Sequence, residues 1–129
     1  MGSEKPLILV VEDDAEMNQL QRELLAIHGM DSLPAYSGTE AIAVDSERTP
    51  DAILLDVMLP ELDGFETCIQ LRQKQKEQDR HVPIIMLTAM DSDECRQRGF
   101  AAGADAYFIK PFDPDEVIKA LQVMLAKKR

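Results

Sequence analysis

Five polar side chains stand where apolar runs end, and their types together suit phosphoryl chemistry. Glu12 and Asp13 follow Leu7-Ile8-Leu9-Val10-Val11, Asp56 follows Ile53-Leu54-Leu55, Thr88 follows Ile84-Ile85-Met86-Leu87, and Lys110 follows Tyr107-Phe108-Ile109. Carboxylates brought together repel one another and hold a hard divalent cation such as Mg2+ through oxygen ligands. A cation beside Asp56 keeps that carboxylate ionised and able to attack a phosphoryl group. The metal and Lys110 would neutralise charge on the transferring oxygens, and Thr88 would donate a hydrogen bond to one of them. Each residue also has a plainer role: Asp56 starts a turn, Glu12 and Asp13 cap a helix, Thr88 ends a strand, and Lys110 is a surface cation. Pro111 favours the first set, because the residue before a proline is held extended and its side chain is well placed.

For these groups to meet, the runs that precede them must be strands of one sheet with one direction. Runs that stay apolar instead of alternating suit strands buried on both faces. Between them lie helical stretches. Met17, Leu20, Leu24 and Ile27 recur at spacings of three and four, after a cap at Asp13 or Asp14 and before a stop at Gly29. Asp31 to Tyr36 is a weaker strand, and Pro34 places it at an edge. A short helix of ambiguous face follows Ser37-Gly38-Thr39-Glu40 and runs to about Ser46. Phe65, Cys68 and Leu71 line one face of the next helix, whose tail from Gln73 to Arg80 is wholly polar and expected to be solvated and frayed. The helix after Asp91-Ser92-Asp93-Glu94 has few large apolar groups before Phe100 and is the least anchored. Asp113-Pro114-Asp115-Glu116 opens the last helix with a capping box, and its stripe is Val117, Ile118, Leu121, Met124 and Leu125. Lys127-Lys128-Arg129 complements the end of that helix.

Five strands alternating with five helices predict an α/β fold: a doubly wound five-stranded parallel sheet with helices on both faces, joined by right-handed crossovers. In such a sheet all strand C-termini share one edge, where ligands bind.

Composition narrows the function. The chain has 129 residues, enough for one domain with one core. With 24 acidic and 14 basic residues the formal charge is −10, which repels a nucleic-acid backbone and tolerates a divalent cation. No direct nucleic-acid binding is expected. No apolar run reaches the roughly 18 residues a membrane span needs, and a cytoplasmic location is expected. Cys68 and Cys95, with His28 and His81, match no zinc spacing. Both thiols read as core or half-buried hydrophobes.

The sequence resembles the receiver domain of two-component response regulators. The resemblance rests on Leu7-Ile8-Leu9-Val10-Val11-Glu12-Asp13-Asp14, Leu55-Asp56-Val57-Met58-Leu59-Pro60 with Asp63-Gly64, Leu87-Thr88-Ala89, and Gly103-Ala104-Asp105-Ala106-Tyr107-Phe108-Ile109-Lys110-Pro111-Phe112. It spans residues 5 to 126, and residues 1–4 are expected to be a cloning remnant or a disordered N-terminus. The spacings of 43 from Asp13 to Asp56 and 22 from Thr88 to Lys110 fit the family.

The resemblance implies a flavodoxin-like sheet of strand order 2-1-3-4-5. It implies Mg2+-dependent transfer of a phosphoryl group to Asp56 from a histidine kinase or phosphotransfer protein, then slow hydrolysis. Asp13 would bind Mg2+ directly, Glu12 mostly through water, and Asp56 and the Met58 carbonyl would complete the protein ligands. Thr88 and Tyr107 would form a switch pair, Tyr107 turning inward as Thr88 moves to the phosphoryl oxygen. The surface of the fourth helix, fifth strand and fifth helix would then signal to an output domain or a downstream protein. Such a domain catalyses its own phosphorylation and dephosphorylation without turning over a metabolite, so whether to name it an enzyme is open.

Three departures from the family pattern matter. The 32 positions from Asp56 to Thr88 are slightly more than usual, and the excess is expected to alter only the end of the third helix. Met58 and Met90 flank the site with side chains that cannot guide an attacking water. The acyl phosphate should therefore decay more slowly than in a Met58→Asn variant, which phosphate release would measure. Ala106 stands where the DNA-binding subfamily usually has a second acid, so a monomer or a weak phosphorylation-dependent dimer is expected, with Phe100 a candidate partner contact. A phosphatase of the haloacid dehalogenase type would need an acid where Met58 stands. A receiver-like interaction module that works without phosphate is the alternative. The chain reads either as a stand-alone receiver or as a fragment of a longer protein, and Met1-Gly2-Ser3 favours the fragment.

Overall fold

The structure, a computed structural model, describes residues 5–127. The expectations for residues 1–4 and for Lys128 and Arg129 lie outside the described residues. The elements are β1 (Leu7–Val11), α1 (Ala15–Ile27), β2 (Asp31–Ala35), α2 (Gly38–Arg48), β3 (Ala52–Asp56), α3 (Gly64–Glu77), β4 (Ile84–Thr88), α4 (Asp93–Ala102), β5 (Ala106–Ile109) and α5 (Pro114–Lys127). All strand pairs are parallel, in the order β2-β1-β3-β4-β5. Both features agree with the sequence reading. Pro34 sits in an edge strand, as its missing donor requires.

Alternation along the strands divides the core in two. Leu9, Val11, Ile53, Leu55, Ile84 and Met86 pack with residues of α2, α3 and α4 on one face. Ile8, Val10, Leu54, Ile85 and Leu87 pack with α1 and α5 on the other. Both sets are buried, so β1, β3 and β4 are covered on both sides, the reason their sequences do not alternate. Each large side chain so buried contributes roughly 1.5–3 kcal/mol. In α5, Val117, Ile118 and Leu121 are buried, and Asp113 caps the helix by accepting from Asp115 N–H, whereas Glu116 N–H donates to the Asp113 carbonyl, a simple cap in place of the expected box.

Two helices differ from expectation. Of the stripe Met17-Leu20-Leu24-Ile27 only Leu24 packs against the core: Met17, Leu20 and Ile27 are exposed, Ile27 by 78%, and the buried residues of α1 are Asn18 and Leu25. Asp14 caps α1 at Met17 N–H and Asn18 ties into the loop before it. Those polar tethers set the phase of the helix, and hydrophobic spacing alone does not reveal them.

Most of the tail from Gln73 to Arg80 is exposed, as expected, but it is not a loose end. Gln75 is fully buried and its Oε1 accepts from Val82 N–H and from Arg72. Arg72 also donates to the carbonyls of Gly103 and Val82 and pairs with Asp105 at 2.8 Å. Arg80 pairs with the wholly buried Asp45 of α2 at 3.1 Å. A run without an apolar side chain is thus tied by Gln75, Gln78 and Arg80 to α2 and to the approach to β4.

Candidate functional site

The parallel register brings the C-termini of β1, β3, β4 and β5 to one edge. Glu12 and Asp13 leave β1, Asp56 ends β3 and Lys110 follows β5, so residues far apart in sequence meet there. Glu12, Asp13 and Asp56 each offer a carboxylate oxygen, and these oxygens lie within 4.8 Å of one another. Lys110 Nζ stands 3.4 Å from Asp56 Oδ2 and 3.5 Å from Glu12 Oε1. Asp56 Oδ1 accepts from Met58 N–H at 3.0 Å, which fixes the carboxylate across the turn. Thr88 is wholly buried at the end of β4, one position past Leu87, the register partner of Asp56. The Lys110–Pro111 peptide is cis, and Lys110 N–H donates to Thr88 O.

Glu12 and Asp56 are buried and Asp13 is exposed. Burial pushes the Glu12 carboxyl up to about 7; Asp14 N–H opposes this, and the Asp56 charge adds to it. Glu12 Oε1 is buried and makes no hydrogen bond. A buried carboxylate oxygen that makes no hydrogen bond and has only the Lys110 ammonium at 3.5 Å for charge, beside two further carboxylates, is the environment a divalent cation completes. The donor set, all oxygen, fits Mg2+ and offers nothing to favour a softer metal.

Some of the positioning was invisible in the sequence. Asn18, fully buried, aims Nδ2 at the carbonyls of Val10, Glu12 and Ala35 at 3.1–3.3 Å, and its Oδ1 accepts from Arg22. One amide thereby holds the loop that carries Glu12 and Asp13. Replacing Asn18 by Leu keeps the branching of the side chain and removes the donor. We expect a loss of about 1–3 kcal/mol in chemical denaturation and weaker Mg2+ binding by titration; no change in either would show the amide to be dispensable. Gly64 N–H donates to Val57 O at 2.8 Å, and a Cβ there would collide with the backbone of Asp56 and Val57. The start of α3 can approach the site only through a glycine.

Beside Asp56 opens a cleft of about 480 Å³ whose lining includes Asp13, Met58, Pro60, Phe65, Met90 and Arg98. The Met58 side chain is 60% exposed at its mouth. Arg98 of α4 lies over the Phe65 ring at 4.3 Å. Tyr107 of β5 is buried and turned inward, and its hydroxyl donates to Met90 O at 2.9 Å. Phe100 is 47% exposed, with its ring 6.4 Å from that of Tyr107. Cys68 is buried and its thiol is pushed up to about 11 by burial, whereas Cys95 is half-buried. Neither belongs to the site.

Among known proteins, the family model of the response regulator receiver domain matches residues 8–122. The chain is 42% identical over 120 residues to the transcriptional regulatory protein ResD of Bacillus subtilis (strain 168), covering 93% of this chain and 48% of that one. It is 36% identical over 122 residues to the DNA-binding dual master transcriptional regulator RpaA of Synechocystis sp. (strain ATCC 27184 / PCC 6803 / Kazusa), covering 95% and 50%. The chain thus spans about half the length of these relatives. Among solved structures, the receiver domain of the Francisella response regulator 1452 superposes with a TM-score of 0.88 at 32% identity, covering 97% of this chain and all of that one. The Vibrio cholerae chemotaxis protein CheY4 gives 0.85 at 32% identity, covering 94% and 99%.

Proposed function

Because the chain belongs to the family of response regulator receiver domains, we propose that Asp56 is its phosphoacceptor and that residues 5–126 form the phosphorylated unit. The observation that carries this is the joint approach of Glu12, Asp13 and Asp56 with Lys110 Nζ at 3.4 Å from Asp56. A carboxylate oxygen of Asp56 forms the new P–O bond as the P–N bond of a phosphohistidine breaks, and the imidazole nitrogen keeps the electron pair. Lys110 and the Thr88 hydroxyl bind the phosphoryl oxygens as charge develops on them. Glu12, Asp13, Asp56 and the Met58 carbonyl would hold Mg2+, which when bound supplies charge neutralisation at those oxygens. Thr88 and Tyr107 relay occupancy of the site to the surface of α4, β5 and α5. No metabolite is turned over.

The donor is a histidine kinase or a phosphotransfer protein. Its histidine must reach Asp56, so its body must cover the rim of the site. The exposed Met17, Leu20 and Ile27 on α1 run away from that rim and offer it apolar contact. The signal passes to an output domain or a separate protein, with the chain a monomer or a weak phosphorylation-dependent dimer. Among the described residues no helix is long and apolar enough to cross a membrane, and a cytoplasmic location suits the reading.

Intact mass after incubation with acetyl phosphate tests the proposal. We expect a gain of about 80 Da, one phosphoryl group, that needs Mg2+ and disappears in Asp56→Asn. Failure to gain mass with acetyl phosphate and with a broad set of kinases and phosphotransfer proteins would leave a module that works without phosphate.

A further inference from the structure

Tyr107 does not lie inward by its own packing alone; it fits because α4 has no side chain where the ring passes. A Cβ on Gly99 would stand 2.8 and 2.9 Å from ring carbons Cδ1 and Cε1 of Tyr107, and 3.0 Å from Met86 Sδ. Gly99 is buried in the middle of α4 with ordinary helical backbone, so the chain's conformation does not ask for a glycine. Alanine is the better helix residue in such a position. What the glycine supplies is room.

Further contacts show what that room governs. The Tyr107 hydroxyl donates to Met90 O, and Met90 N–H donates to Thr88 Oγ1 at 3.1 Å. The same residue, Met90, is thus held by Tyr107 at its carbonyl and by Thr88 at its amide. From α4 itself, the Arg96 guanidinium lies 5.8 Å from the centre of the ring and Phe100 flanks it. The buried residues of α4 are Gly99 and Ala102, so little else fixes this helix against the sheet. Ring, slot and the link from Thr88 to Met90 form one unit.

We propose that Gly99 is a positioning residue for the phosphoryl site: its missing side chain is the slot that admits the Tyr107 ring, and through Met90 it sets how Thr88 is held. This rests on the reading of Asp56 as phosphoacceptor. A methyl group at residue 99 expels the ring, frees the Met90 carbonyl and lowers the affinity of the site for a phosphoryl group. Linkage requires the reverse as well, so that filling the site strengthens the hold on the ring.

The test compares wild type, Gly99→Ala, Tyr107→Ala and the double variant, each as the whole chain. Thermal unfolding needs no phosphoryl chemistry. Gly99→Ala should lower Tm when Tyr107 is present and raise it when Tyr107 is Ala. An equal rise in both backgrounds would overturn the slot. With 3-fluorotyrosine in place of tyrosine, 19F NMR shows Tyr36 and Tyr107, and Tyr36→Phe assigns them. The Tyr107 resonance should move to a solvent-exposed position in Gly99→Ala; an unmoved resonance would overturn the slot equally. Beryllofluoride with Mg2+ serves as the phosphoryl probe. Gly99→Ala should weaken its binding by about tenfold, within the usual range of coupling between sites, and have no further effect once Tyr107 is Ala. Equal affinity in Gly99→Ala and wild type would overturn the link to Thr88. A wild type that binds no beryllofluoride would instead remove the phosphoacceptor reading, while the unfolding cycle still decides the slot.

Discussion

Lys110→Ala should lower the rate of Asp56 phosphorylation by about 10²–10³, the usual cost of removing one donor from a site that stabilises developing oxyanions. The same change should tighten Mg2+. These opposite signs follow from one geometry. Lys110 Nζ lies 3.4 Å from Asp56 and 3.5 Å from Glu12, so it neutralises the carboxylates a cation would also bind. At a pH above the Glu12 transition, removing it leaves three carboxylates without that competing ammonium, and several-fold stronger Mg2+ binding is expected there from Coulomb attraction in a partly solvated site. A variant that lost rate and metal affinity together would instead show Lys110 to be a structural brace. Lys110→Arg should recover part of the rate, since charge is restored but not the compact ammonium. Single-turnover labelling with acetyl phosphate and Mg2+ titration by calorimetry measure the two quantities.

The same experiment has a pH dependence whose sign Glu12 sets. Burial raises its carboxyl to about 7 in the folded protein, against an ordinary value of 4.5. Between those values the folded state binds a proton that the unfolded state has released. The stability this proton contributes is full below about 4.5 and is lost as pH rises through about 7. Mg2+ binding should run the other way, weakening as pH falls below about 7 because the cation must displace that proton. The Lys110 charge opposes the upward shift, so in Lys110→Ala the transition should move to higher pH.

How much of this was legible in the sequence varies by residue. Glu12, Asp13, Asp56 and Lys110 were legible because each ends an apolar run, and parallel strands leave such ends little choice but to converge. Tyr107 is marked through the resemblance as a switch residue that turns inward, but what gives its ring room is not. That depends on Gly99, which in sequence looks like any helix glycine. Asn18 left no signal at all: a lone asparagine among Glu, Gln and Arg reads as surface, and only the fold shows three carbonyls around its amide. The stripe of α1 announced a helix correctly and its buried face wrongly, because the phase of the helix comes from Asp14 and Asn18. In α3 the polar tail hid a set of tertiary bonds, since periodicity weighs apolar residues and is blind to a buried Gln75.

That tail supplies the second large effect. Arg80→Ala should destabilise the domain by about 2–4 kcal/mol. Removing one partner of a buried pair usually costs about 3–5 kcal/mol because a charge stays behind without compensation. Here Asp45 is wholly buried but Arg80 is 19% exposed, which argues for a value below that range. Gln75 Nε2 still approaches Asp45 at 3.4 Å, too long to replace the guanidinium. For a chain of this size the loss should appear as a fall in Tm of about 7–14 °C. The neighbouring Lys76 is exposed and serves as a control, with Lys76→Ala expected to stay within about 0.5 kcal/mol. Because the pair lies at the edge of the sheet opposite Asp56, phosphorylation of the folded fraction should be unchanged. Equal melting of the two variants would show that the Asp45 carboxylate is reached by water and the pair is only a surface one. Asp45→Asn combined with Arg80→Ala should recover part of the loss, because the amide leaves no charge behind.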